Sequence, residues 1–172
     1  MDIFFYIAAA IAIISTIMAI SGRNAIHSLL FLILSLLAIS VVFYLLDAPF
    51  IAALEVIIYA GAIMVLFIFV TMMLNIGLEK EQEKRWLNPQ MWIIPSILAV
   101  ILFVDLMLAL KNMPTVAVVK NIIQPKQVGI SLFSTYLIAV EIAAILLMAG
   151  IIGAYHLGSQ KKKVLHRFLE KK

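Results

Sequence analysis

Cysteine is absent from the 172 residues, which excludes a disulfide framework, a thiolate metal site, a Cys-ligated iron–sulfur cluster and a Cys nucleophile. Charge is scarce as well: 13% of residues are Asp, Glu, Lys or Arg, about half the ~25% of an ordinary soluble domain. Apolar residues make up 65% where roughly 45–50% is usual, and the mean hydropathy is +1.16. A soluble globular domain is therefore excluded. His27, His156 and His166 stand singly, with no ligand partner three or four residues away, so neither haem nor a metal is indicated. The chain has no Ser, His and Asp constellation for nucleophilic catalysis, no Gly-rich phosphate loop and no internal repeat.

What the sequence does have is five long apolar runs: 3–20, 26–46, 50–74, 91–110 and 132–157. A helix rising about 1.5 Å per residue crosses ~30 Å of hydrocarbon in about 20 residues, so each run is long enough to span a bilayer. A membrane barrel would alternate polar and apolar residues over ~10-residue segments, and these runs are apolar all round. The reading is an all-α integral membrane protein, a five-helix domain over 1–158 followed by a basic tail over 159–172. Because the chain opens Met1-Asp2 and places Arg23 after its first run, that run is expected to be a retained span; a signal peptide carries its basic residues in front.

Five spans put the termini on opposite sides. With the C-terminus in the cytoplasm, Arg23, the loop bases Lys80, Lys84 and Arg85, and the six tail bases lie inside, against Lys111, Lys120 and Lys126 outside, a split of 10 to 3. The N-terminus is therefore expected outside. Trp86 and Trp92 then flank the inner interface, and Tyr6, Tyr44 and Tyr136 lie near the outer one. The net charge of +4 is explained by the tail, where Val164, Leu165, Phe168 and Leu169 share one face of a basic helix suited to an anionic lipid leaflet. Nucleic acid is not called for. Links at 21–25 and 47–49 are short, 76–89 is a solvated connector, and 111–131 is a longer outer loop in which Val116 and Val118-Val119 allow a short hairpin.

Three carboxylates fall inside the runs, where a charge is expensive and marks a pathway, a pair or an escape to water. Asp105 lies about 7 Å from the end of its run with Lys111 nearby, so snorkelling is the better reading. Glu55 is equally shallow and has Tyr59 one turn along; exit to the surface and an interior role are balanced. Glu141 lies ~14 Å into the fifth run, near the midplane, and calls for a partner on another helix or chain. Ala60-Gly61-Ala62 interrupts the third run, while Ala139 with Ala143, Ala149 with Gly153, and Gly150 with Ala154 give small-x-x-x-small spacings on the fifth. Close helix packing and, at Gly61, a local π turn both fit.

The stretch from Glu55 through Tyr59, Gly61 and Val65 to Phe67 closely resembles subunit J of bacterial NADH-quinone oxidoreductase, respiratory complex I, the equivalent of the mitochondrial ND6 family. Val128-Gly129-Ile130-Ser131-Leu132-Phe133, Tyr136, Glu141 and the 150–157 stretch are similar to it too, as are His27-Ser28-Leu29-Leu30 and the loop 82–89; the likeness runs from Phe4 to about Gly158. The resemblance implies a membrane-arm subunit, without an active site, metal or cofactor of its own, in a bacterial inner membrane. FMN, iron–sulfur clusters and quinone would belong to other subunits. The implied neighbours are subunits H, K, A and the antiporter-like N. The implied coupling positions are Glu55, Tyr59, Gly61 and Val65 on a third helix that switches between α and π states, with Glu141 as a further candidate. A related antiporter or membrane-bound hydrogenase would share this helix, and a passive scaffold would use the carboxylates only to hold helices together.

The orientation is open to a direct test. Cysteine introduced at Lys120 should react with an impermeant maleimide from outside, and cysteine at Lys163 only once the inner face is opened; the reverse order would overturn the assignment.

Overall fold

The computed structural model describes residues 2–22, 24–73, 90–111 and 123–159. The basic tail from residue 160 on, the polar connector 74–89 and the β-branched patches around Val116 and Val118 lie outside the described residues. The helices are α1 (Asp2–Ser21), α2 (Ala25–Leu45), α3 (Pro49–Leu54), π1 (Glu55–Ile63), α4 (Met64–Met73), α5 (Gln90–Lys111), α6 (Pro125–Phe133) and α7 (Leu137–Gly158). α3, π1 and α4 are continuous and make one span, so five helices are long and apolar enough to cross a membrane, and no strand occurs among the described residues. The all-α, five-span expectation holds.

The chain divides into two units, Met1–Gln124 and Pro125–Lys172. In the first, α2 is the hub, packing on α1, on the three-part span and on α5, while α5 also touches α1. The seam between α1 and α2 is built on small residues. Ala8 and Ala38 are fully buried and Ala12 nearly so, with Ile11, Leu34, Val41 and Leu102 filling in around them. Without Cβ branches at these points the two backbones approach closely, which is how membrane helices gain dispersion energy when lipid offers no hydrophobic contrast.

Two hydroxyls in the seam are paired, while that of the fully buried Ser15 on α1 has no hydrogen-bond partner among the described residues. The Thr16 and Ser35 hydroxyls are 2.7 Å apart, and lie 2.8 and 3.1 Å from the Ala12 carbonyl. One hydroxyl donates to that carbonyl and the other to its neighbour, tying α1 to α2. The links obey helix-end chemistry. Asn24 caps α2, its Oδ1 accepting from the Ile26 N–H at 3.0 Å. At the other end, Ala48 N–H donates to the Phe43 carbonyl at 3.1 Å and Asp47 N–H to the Tyr44 carbonyl at 3.3 Å, with Asp47 in the left-handed region at φ 61°. That is a Schellman stop, and Pro49 at the first position of α3 restarts the chain at once.

The second unit departs from the expected outline. The 111–131 stretch contains a helix, α6, and the run expected to span from Leu132 is interrupted at Ser134-Thr135-Tyr136, so that the spanning helix begins at Leu137. The Ser134 hydroxyl donates to the Ile130 carbonyl at 2.6 Å, and the Tyr136 N–H reaches the Ser131 carbonyl at 3.1 Å. α6 thus closes on a wide last turn. No residue of α7 is buried, and Gly150 and Gly153 have open space around them. Within this unit, the small-residue spacings on α7 are not used for packing.

Filling the α1–α2 seam should be costly. Ala38→Leu is expected to destabilise the chain by about 1–3 kcal/mol, seen as a lower thermal-unfolding midpoint in mild detergent, whereas Ala38→Ser, close to alanine in volume, should stay near the unsubstituted protein.

Candidate functional site

The third span changes helix type in its middle. Glu55 still donates from its N–H to the Ile51 and Ala52 carbonyls, in the α and 3₁₀ registers. At the far end of π1, the Met64 N–H reaches back five residues to the Tyr59 carbonyl, and also touches that of Gly61. Nine consecutive residues are therefore in π register, a rare arrangement that frequently marks functional segments. The four coupling positions indicated for this span all lie in or beside it: Glu55 opens it, Tyr59 and Gly61 are inside it, and Val65 lies just past its end.

Gly61 is tied to this geometry. A Cβ built there would sit 3.1 Å from the Val56 carbonyl oxygen, five residues back, and no atom of another described helix comes within 4 Å. Of the two readings open to Ala60-Gly61-Ala62, the missing side chain at Gly61 therefore serves its own wide turn; the residue packed inward is Ala60, buried at 9% exposure. Glu55 is half-buried, while Tyr59 and Val65 are exposed. The inward face of the span is Ala52, Ala60 and Met64, in contact with α2.

Ser40 was not visible as a site residue in the sequence. Its buried hydroxyl donates to the Ala52 carbonyl at 2.9 Å, fixing α3 to α2 just before the π register begins. The only available signal was a hydroxyl within an apolar run, and polar residues facing a neighbouring helix in lipid usually make such bonds.

The two remaining carboxylates reverse their expected environments. Asp105, expected to snorkel, is 4% exposed, and neither carboxylate oxygen has a hydrogen-bond partner. Glu141, expected near the midplane, is exposed and is the fifth residue of α7, about 6 Å from its start. The interruption at 134–136 removed the residues that had placed it deep. Glu141 belongs to the second unit, and the four positions on the third span belong to the first. Elsewhere, the half-exposed Trp92 of α5 meets the buried His27 of α2 edge to face, with centroids 6.0 Å apart. No three His, Asp or Glu side chains converge among the described residues.

An all-helical chain with five potential spans, one of them carrying a π segment around a glycine, is the class that these observations define. The family model for NADH-ubiquinone/plastoquinone oxidoreductase chain 6 matches residues 15–157, and the chain belongs to that family. It is 50% identical to the NADH-quinone oxidoreductase subunit J of Pseudomonas aeruginosa, over 95% of this chain and 99% of the relative. It is likewise 50% identical to the Escherichia coli K12 subunit J, over 94% of this chain and 89% of that one, and 47% identical to a Buchnera aphidicola subunit J over 94% and 100%.

If the Ser40 bond anchors the third span, Ser40→Ala should cost about 1 kcal/mol and speed amide exchange over residues 52–60 roughly fivefold. Exchange mass spectrometry of the purified assembly measures this, with the α1–α2 seam as the unchanged control.

Proposed function

We propose that this chain is the subunit-J component of a proton-translocating NADH-quinone oxidoreductase of a bacterial inner membrane, and that its third span helps couple quinone reduction to proton movement by exchanging π and α registers. The observation that carries the reading is the π segment Glu55–Ile63 with a glycine at the point where a Cβ would press on the Val56 carbonyl. A π turn holds one more residue than an α turn, so conversion rotates the downstream part of the span by roughly 100° relative to the upstream part. Glu55 lies before that rotation and Val65 after it. A carboxylate and a phenol on one side, and an apolar side chain swung toward or away from them on the other, form a gate that admits or excludes a file of water.

In this reading the chain brings no redox centre. FMN, iron–sulfur clusters and quinone reside in other subunits, and the neighbours are subunits H, K, A and the antiporter-like N. The N-terminus lies outside and the basic tail on the cytoplasmic leaflet. Glu141, exposed on α7, faces lipid or a neighbouring subunit, where a donor would compensate its charge.

Gly61→Val tests the gate. The branched side chain crowds the Val56 carbonyl and stiffens the backbone. A barrier to register exchange raised by about 1.4 kcal/mol slows coupled turnover roughly tenfold. The expected result is an assembled complex that oxidises NADH with an artificial acceptor at the normal rate but shows reduced quinone-linked turnover and proton translocation. Full coupled activity in an intact complex would remove the gate, and failure to assemble would return Gly61 to a packing role.

A further inference from the structure

Asp105 is a carboxyl group that the proposed gate does not use. It sits on α5 at 4% exposure, and both oxygens are buried and without a hydrogen-bond partner. Beside it, between α1 and α5, is an open cavity of about 250 Å³ lined, besides Asp105 itself, by Phe4, Ile7, Val100, Ile101, Val104 and Leu108. Every one of these is apolar. A water molecule needs two to four polar partners to be held, and this cavity has the Asp105 carboxyl alone, so hydration cannot stand in for the missing donors.

An ionised carboxylate only accepts hydrogen bonds, and the described residues around Asp105 present none to accept. The titratable groups whose side chains are described on the two helices packed against α5 are Tyr6 on α1 and His27 and Tyr44 on α2, and none of them bonds to Asp105. His27 meets Trp92, thirteen residues and about 20 Å along α5 from Asp105. On α5 itself Lys111 is exposed at the helix end, six residues on and roughly 120° round the axis. A buried charge with neither partner nor water is the arrangement that proteins avoid by neutralising the group. A carboxylic acid, by contrast, has an O–H that can donate to a carbonyl, the one polar group that a helix interior offers in quantity.

We infer that Asp105 is a proton-binding site: a carboxylic acid that keeps its proton in the folded chain, buried on α5 beside α1 and separate from the π segment. It contributes a stored proton where a surface aspartate would contribute a fixed negative charge. The site stands on burial and missing partners, and it does not depend on register exchange in the third span.

Infrared difference spectroscopy on the assembled complex in membranes, with aspartate labelled by ¹³C at its side-chain carboxyl, tests this at neutral pH. Subtracting the Asp105→Asn complex from the unsubstituted one should leave a ¹³C-sensitive carboxylic-acid C=O band, shifted by deuteration. Asn copies the shape and neutrality of the acid, so complex yield should stay within about twofold. Carboxylate stretching bands in that difference, with no acid band, would overturn the proposal. If Asp105→Asn does not assemble, Asp105→Glu in the same labelling must remove the same labelled acid band, and its persistence would equally overturn it.

Discussion

A peptide N–H or C=O in hydrocarbon has no water to turn to, and this single restriction orders the whole molecule. Each long run becomes a helix because only a helix satisfies its own backbone. Each link must be short or chemically capped because the helix ends carry the leftover groups. The Schellman stop at Leu45 to Ala48, with Asp47 in the left-handed region, consumes two carbonyls that would otherwise hang free. Asn24 does the same for a donor at the start of α2. The Thr16 and Ser35 hydroxyls extend the rule to side chains by spending their protons on the Ala12 carbonyl and on each other.

The π segment is the one place where the backbone has a choice under this rule. Its bonds reach five residues back where an α-helix reaches four, so donors and acceptors stay matched in number while the turn widens. Gly61 makes the wide turn tolerable, since the Val56 carbonyl occupies the space that a Cβ would need. An alanine there would stand 3.1 Å from that carbonyl, which would have to give by a few tenths of an ångström.

The spans, the two tight links and the third helix as the place of interest were legible in the sequence, because hydropathy, Pro49 and the Ala60-Gly61-Ala62 interruption each report a local property. The depths of the carboxylates were not. Placing Glu141 deep assumed that an apolar run and a helix share their ends, and the turn at Ser134-Thr135-Tyr136 separates them. Hydropathy does not register that event, because Leu132 and Phe133 are as apolar as the helix beyond the break. Asp105 failed for another reason: distance from a helix end says how far a side chain must reach for water, and says nothing of what stands in the way. Here α1 stands there. The A-x-x-x-A spacing of Ala8 and Ala12 could have shown which helix comes that close.

The third span is held at both edges of its variable part. Upstream, Ser40 grips the Ala52 carbonyl; downstream, Met64 is buried at 3% exposure, on a segment packed against α2. Between these two points the outward residues Val56, Ile57, Ile58 and Tyr59 are exposed, and only Ala60 turns inward. A helix pinned in this way does not swing as a rigid rod. The inward contact between these two points is a single alanine, which offers little side chain to interlock with α2. The hub α2 thus meets the third span in two ways along one face, through a hydrogen bond and a buried Met64 at the edges of the π segment and through the small side chain of Ala60 between them.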